Sequence, residues 1–341
     1  MIKGRWLIPL ICALTLFVLC ALALKMFEAI IGIVILIAGI LLMTISSEKA
    51  VEHSVIFAST LGISPLIIGL TLVSIGTDLP ETVNSIVSCA LGHGNINLGD
   101  SIGSVLTQLT LMFGILPFFG SSFKVKRREI LVTGTCVILA LMLVTSIVEK
   151  GYISRINALF LVGSWPIYML ITKTMTRRRA LKDAYPTEKT KRLYHVTIVI
   201  LGLVGVTLGA YAVVQSVIML SATFKIPEYL ISFFLVAVGT SLPELAVNLT
   251  AVRKREYEIA IGDIIGSCIF DASFSIGIGP VLFPQAVSDK LASTITLYTI
   301  FVSAVAISIL ALREKVDKKA GIMLIALYSL SYIFLIHEAI S

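Results

Sequence analysis

Long apolar runs alternate with short charged or turn-forming clusters along the whole chain. Each run holds about 20 residues or more, enough to cross a hydrocarbon core of about 30 Å. The pattern predicts eleven helices, near 6–24, 27–57, 64–91, 97–120, 129–148, 153–172, 195–220, 226–251, 259–284, 290–312 and 320–338. The fold class that follows is an all-α polytopic membrane protein. Composition agrees: of 341 residues 57% are hydrophobic and 14% charged, against about 25% charged in ordinary globular domains. The mean hydropathy is +1.00.

Charge orients the bundle. Alternate connections carry Lys3 and Arg5, then Lys124, Lys126, Arg127 and Arg128, then the 173–194 linker, then Arg253, Lys254 and Arg255, then Arg313, Lys315, Lys318 and Lys319. Together they hold 21 of the 27 Lys and Arg, so the bias puts this side, with the N-terminus, in the cytoplasm and the C-terminus outside. The net charge of +7 is therefore a topology signal and not a nucleic-acid surface. The basic start, apolar middle and small residues of 1–24 also describe a signal peptide. The length of the apolar run favours a retained extra N-terminal helix; cleavage would leave the other ten spans unchanged. Cys12, Cys20, Cys89, Cys136 and Cys268 mostly sit inside apolar segments without metal-ligand spacing, as small buried hydrophobes do. The basic linker 173–194 splits the chain into 27–172 and 195–341, and is read as a cytoplasmic connection close to the bilayer surface.

The halves are related. Shifted by 163 residues, Leu72–Ile115 falls on Leu235–Ile278 without a gap, with 15 of 44 positions identical. The matches include Gly76/Gly239, Thr77/Thr240, Pro80/Pro243, Glu81/Glu244, Gly99/Gly262, Asp100/Asp263, Gly103/Gly266 and Ser104/Ser267, so shared polar and glycine positions, not shared hydrophobicity, carry the match. The motif regions span about 64–120 and 226–284. Helix 64–91 and its partner 226–251 cross in opposite directions, which makes the repeats inverted. Inverted repeats with Gly/Pro-interrupted helices at matched positions point to a secondary transporter with its site near the midplane.

Within SIGTDLPETVNS (74–85) and AVGTSLPELAVN (237–248), Glu81 and Glu244 stand in mid-membrane, where a carboxylate costs about 2.5–3.5 kcal/mol on insertion scales. No Lys or Arg lies in these helices near the midplane, so a bound cation is the expected partner. Pro80 and Pro243 lack an N–H and release the carbonyls of Gly76 and Gly239. Such carbonyls beside a carboxylate are hard ligands suited to Na+ or Ca2+. Thr77 and Thr240 stand four residues before the glutamates, on the same helix face. In the next helices Asp100, Ser104 and Gln108 form one stripe, and Asp263, Ser267 and Asp271 another. Ser104, Gln108, Ser267 and Asp271 are placed to add oxygen ligands, with Gly103 and Gly266 allowing close helix approach. Asp100 and Asp263, a turn nearer the surface, read as pathway-mouth or helix-start residues. His53, His93, His195 and His337 show no pairing in the sequence, and Glu48, Lys49, Glu52 and His53 can satisfy one another within a helix.

The paired G-T-[SD]-L-P-E segments, each followed by a G-D-x-x-G-S segment, resemble the α-repeats of the cation/Ca2+ exchanger superfamily, in particular its prokaryotic sodium/calcium branch. The resemblance covers about 27–338. It implies a ten-helix core and exchange of Ca2+ for Na+ by alternating access, with ion ligands at Glu81, Glu244, Thr77, Thr240, Ser241, Ser104, Ser267 and Asp271. Backbone carbonyls near Ser74 and Ala237 complete the implied set, and Ca2+ would sit centrally with Glu81, Glu244, Thr77 and Thr240. Three positions depart from the family pattern: Asp78 in place of a small hydroxyl residue, Gln108 in place of Asn, and Asp100 and Asp263 in place of the Asn of a G-N pair. Asp78, three residues before Glu81, adds a carboxylate that favours holding a proton in some state of the cycle.

The expected function is therefore a secondary antiporter of the plasma or inner membrane, with inorganic cations as its substrates and no cofactor, enzymatic activity or obligatory protein partner. A Ca2+/H+ exchanger of the same fold is the alternative. An intramembrane aspartyl protease is a remote one, since Asp100 and Asp263 are paired G-D residues, but Asn97 and Ala260 stand where a G-x-G-D loop needs glycine.

Overall fold

The computed structural model describes residues 7–60, 74–120, 122–175 and 192–340. The first half contains α1 (Leu7–Thr60), α2 (Ser74–Thr77), α3 (Leu79–Ala90), α4 (Gly94–Leu106), α5 (Phe113–Phe119), α6 (Arg127–Val148) and α7 (Arg155–Met175). The second contains α8 (Arg192–Phe224), α9 (Glu228–Ile231), α10 (Ala237–Thr240), α11 (Leu242–Arg253), α12 (Tyr257–Phe270), α13 (Ile276–Leu282), α14 (Asp289–Arg313) and α15 (Lys318–Ile340). Three π-helical turns interrupt these helices, Thr107–Met112 between α4 and α5, Ser232–Val236 between α9 and α10, and Asp271–Ser275 between α12 and α13. Among the described residues eight helices, counting α4–α5 and α12–α13 as one each, are long and apolar enough to cross a membrane, nine with the bent span α9–α11; α2–α3, described only from Ser74, stands where the tenth is expected. This is the ten-helix inverted-repeat arrangement that the sequence resemblance implies.

One boundary differs from the sequence pattern. The break expected between 6–24 and 27–57 is absent, and α1 is continuous from Leu7 to Thr60. Lys25 and Glu28 punctuate the apolar run, yet 25–28 contains neither Gly nor Pro, and a charged side chain alone does not interrupt the backbone ladder. Lys3 and Arg5, residues 61–73 of the third expected helix, and most of the 173–194 linker lie outside the described residues.

Burial grades from the centre outwards. Within the span Gly94–Phe119, 78% of the most apolar window is buried, and 67% within Tyr257–Leu282, against 11% in Arg155–Thr172. Ile30, Phe160, Leu201, Phe301 and Ile333 on the outer helices are more than half exposed, as lipid-facing side chains are. The central helices approach closely. A Cβ on Gly99 or Gly103 of α4 would collide with the carbonyls of Tyr229 and Phe233, so only glycine lets α4 lie against α9 and the following π-turn. α1 runs beside α8, the first helix of the other half.

Two short antiparallel ribbons repeat the symmetry at the loops. β1 (Phe123–Lys124) pairs with β4 (Lys315–Val316), and β2 (Tyr152–Ile153) with β3 (Gln285–Ala286). A shift of 163 carries β1 onto the loop of β3 and β2 onto β4. The first ribbon puts the basic loops at 124–128 and 313–319 on one face. Lys126 Nζ, 3.7 Å from Glu258, places the turn after α11 there too. The opposite face is joined by β2–β3, by His93 Nδ1 at 3.0 Å from Glu228, and by Gln285 Nε2, which donates to the Cys89 carbonyl at 2.6 Å.

The histidines depart from the expectation of no pairing. His53 near the end of α1 and His195 at the start of α8 stand with their Nδ1 atoms 3.0 Å apart. The contact joins residues 142 apart, which no local spacing reveals. Lys49 does pair locally, with Glu52 at 2.7 Å. Cys89, Cys136 and Cys268 are buried and free, while the side chains of Cys12, Cys20 and His337 lie outside the described residues.

Candidate functional site

The site is built on two helix breaks. α2 and α3 are interrupted at Asp78 (φ −82°, ψ 13°), α10 and α11 at Ser241 (φ −81°, ψ 7°), residues exactly one repeat shift apart. In each case proline opens the following helix, where a missing N–H is tolerated. The second break bends its span by 42°. The result places Glu81 and Glu244 in the first turn of α3 and α11, at the positive end of each helix dipole.

Both glutamates are sealed from the surface, with 1% and 0% exposure. None of their four carboxylate oxygens receives a hydrogen bond from any described residue. The same holds for Asp78 Oδ1, Asp271 Oδ1, Ser104 Oγ and Ser241 Oγ, all buried. Glu81, Asp78 and Asp100 lie near enough to interact as charges, and Glu244 lies near Glu81, Asp78 and Asp263. Asp271 feels Glu81, Asp78 and Asp100 in turn. Buried carboxylates without partners cost several kcal/mol each. A set that also repels itself requires compensating positive charge.

The expected residues converge to different degrees. Asp271 opens the π-turn 271–275, and Gln108 lies in the matching π-turn 107–112. Gln108 Nε2 donates to Asp271 Oδ2 at 3.1 Å, while Cys268 Sγ stands 3.2 Å from Gln108 Oε1 and fixes the amide orientation. These two residues occupy the same position in the two repeats, so their bond straddles the pseudo-symmetry axis. Ser267 is buried close to Asp78. Thr77 is half-buried beside the first break. Ser74 begins α2 and Ala237 begins α10, the carbonyl of Ala237 accepting the Ser241 N–H at a long 3.3 Å. The carbonyl of Gly76, expected to be freed by Pro80, is met by Ser47 Oγ of α1 at 3.3 Å.

Asp100 is not at a pathway mouth. It is 1% exposed, and both of its oxygens are bonded, Oδ2 by Asn84 Nδ2 at 2.6 Å and Oδ1 by Thr240 Oγ1 at 3.0 Å. Asp263 is half-buried and receives Asn248 Nδ2 at 3.0 Å. Asn84 and Asn248 are not among the residues expected from the sequence. Their signal was present: each lies about one turn beyond its glutamate, so it shares that helix face.

Among the described residues, no three acidic, histidine or cysteine side chains gather tightly enough to hold a metal by themselves. The available donors are instead carboxylates interleaved with hydroxyl, amide and carbonyl oxygens. That mixture suits hard cations and not thiophilic metals.

Comparison with known proteins meets this geometry. A family model described as sodium/calcium exchanger protein matches residues 31–173 and 194–337, the two halves on either side of the linker. The chain belongs to the sodium/calcium exchanger family. Among relatives of this family member, the putative antiporter CaxA of Alkalimonas amylolytica is 26% identical over 252 residues, covering 69% of this chain and 77% of that protein. A solved structure of the sodium-calcium exchanger NCX_Mj, soaked with Na+ and Sr2+, superposes with a TM-score of 0.56 at 26% identity, covering 89% of this chain and 99% of the other. The crystal structure of the H+/Ca2+ exchanger CAX has a TM-score of 0.67 at 18% identity, covering 99% and 93%, a likeness of fold alone. Family membership places the chain among the cation exchangers and leaves the protease reading without support.

Proposed function

We propose that this chain exchanges Ca2+ for Na+ across the plasma or inner membrane by alternating access, with the basic loops in the cytoplasm. One observation carries the reading: Glu81 and Glu244, fully buried in the first turns of two repeat-related broken helices, have no bonded partner among the described residues. Ca2+ between them would be held also by Thr77 and Thr240. Asp271, Ser241, Ser104, Ser267, Asp78 and Gln108 would extend the site for Na+, with carbonyls at Ser74 and Ala237. Two Na+ can neutralise the same glutamates that one Ca2+ neutralises. The loaded forms can then occlude, whereas an empty site keeps unbalanced charge in a dry interior and resists closure. Obligatory exchange follows from that difference.

Asp78 supports a second reading, Ca2+/H+ exchange. It places a carboxylate three residues before Glu81, where a proton can take the place of a Na+. Radiolabelled Ca2+ uptake into proteoliposomes separates the two. Uptake driven by an outward Na+ gradient, and not by an outward H+ gradient, is the expected result; the reverse makes H+ the coupling ion. E81Q and E244Q should each reduce uptake by more than about 100-fold, as loss of a principal charged ligand does. Uptake that survives both substitutions would refute the site.

A further inference from the structure

Asp100 is a buried carboxylate whose two oxygens are both held by hydrogen bonds, one from each repeat. Its neighbours Gly99 and Gly103 bring α4 into backbone contact with α9 and the π-turn after it, and this approach lets Asp100 reach across from the first repeat to Thr240 in the second. Within hydrogen-bond geometry the Thr240 hydroxyl has one proton and three acceptors, Asp100 Oδ1 at 3.0 Å, the Val236 carbonyl at 3.2 Å and the Ala237 carbonyl at 3.4 Å, and the Glu81 carboxylate near it is a fourth candidate. In an uninterrupted helix the proton would go back to the carbonyl four residues earlier. A carboxylate at shorter distance is the stronger acceptor and takes it. Asn84 holds the other oxygen of Asp100 at 2.6 Å, so the carboxylate cannot swing away.

We propose that Asp100 is a positioning residue that orients the Thr240 hydroxyl as a cation ligand. Glu81 is a second carboxylate close to the same hydroxyl but outside hydrogen-bond geometry, so with the proton held on Asp100 the lone pairs of Thr240 Oγ1 are left for an ion shared with Glu81. The negative charge behind the hydroxyl also makes its oxygen a better donor to a cation, as the outer partners of metal ligands do. Asn84, Asp100 and Thr240 thus form a relay from α3 through α4 to α10 that ends at the ion. The inference rests on the cation-exchange reading of Glu81 and Glu244, and adds a residue that touches no ion itself.

A double-mutant cycle on Ca2+ uptake in proteoliposomes tests it, with D100A, T240V and the pair. D100A should raise the KM for Ca2+ by about 10–100-fold, the usual effect of losing an outer partner, with the maximal rate changed far less. In the T240V background the same substitution should have little further effect on KM, because the hydroxyl it orients is gone. D100N keeps one acceptor oxygen and the shape, and should fall between wild type and D100A; it also serves if D100A does not fold. Effects of D100A and T240V that multiply independently would overturn the proposal, as would a D100A or D100N protein with unchanged KM. Failure of the underlying reading looks different: E81Q in the same vesicles would then retain uptake, whatever Asp100 does.

Discussion

A carboxylate enclosed by helices and left without a donor persists only if positive charge visits it. Glu81 and Glu244 are such groups, and Asp78 adds a buried carboxylate near them where the matching position of the second repeat holds Ser241. D78S, which installs the hydroxyl that Ser241 supplies in the other repeat, should remove any H+-driven component of Ca2+ uptake and leave Na+-driven uptake within about ten-fold of wild type. Na+-driven uptake that falls as far as in E81Q would put Asp78 among the principal ligands. The acidic and hydroxyl positions were legible in the sequence because they recur at one fixed shift against a background of changing apolar residues. Asn84 was legible only as a polar residue on the face of Glu81; its bond to Asp100 was not, because Asp100 lies buried across the helix pair. The His53–His195 contact was not, because it joins opposite halves.

At the scale of elements, proline and glycine do most of the placing. The breaks at Asp78 and Ser241 were legible from Pro80 and Pro243, whereas the π-turns leave no mark in hydropathy. Gly103 packs directly on the Phe233 carbonyl, so G103A must displace backbone and should cost about 1–3 kcal/mol, read as a lower thermal midpoint in detergent. Gly163 in α7 has open space where a Cβ would stand, and G163A should leave the midpoint unchanged or raise it through helix propensity. Equal losses at both positions would contradict this packing. Asp317, outside the spans, caps α15: its Oδ1 accepts the Ala320 N–H at 2.9 Å, and Lys315 and Arg313 bracket it at 3.1 and 2.9 Å. The backbone N–H, with those two cations, holds its carboxyl well below the usual carboxylate range. A lowered folded-state value means that the contribution is present above the unfolded value of about 3.9 and fades as pH falls below it. D317A should therefore lose about 1 kcal/mol near neutrality and show a shallower acid-induced fall in stability than wild type.

For the molecule as a whole, the number of core helices and their inverted relation were legible from apolar runs, basic loops and the repeat shift. The continuity of α1 was not, because a lysine in an apolar run resembles a loop in composition while the backbone stays helical. The two ribbons at the loops tie connections on one face each, and β1–β4 bridges the ends of α6 and α14, which already pack against one another. Lys124 and Lys315 are directly opposed, at a separation suited to a disulfide. A K124C/K315C bridge, formed by oxidation and reversed by reductant, should leave the exchange rate nearly unchanged. A rate that stops on oxidation and returns on reduction would show that these loops part during the cycle.

The π-turns at 107–112 and 271–275 stand at matching positions of the two repeats. Each inserts an extra residue into a helical turn, and π-turns tend to mark functional sites. They coincide under a repeat match that needs no gap through either of them. The widened turn is therefore a shared feature of the two repeats, at one position of both. Where the two turns meet, one supplies the Gln108 amide and the other the Asp271 carboxylate, so a donor faces an acceptor across the axis and one negative charge stands there instead of two that would repel.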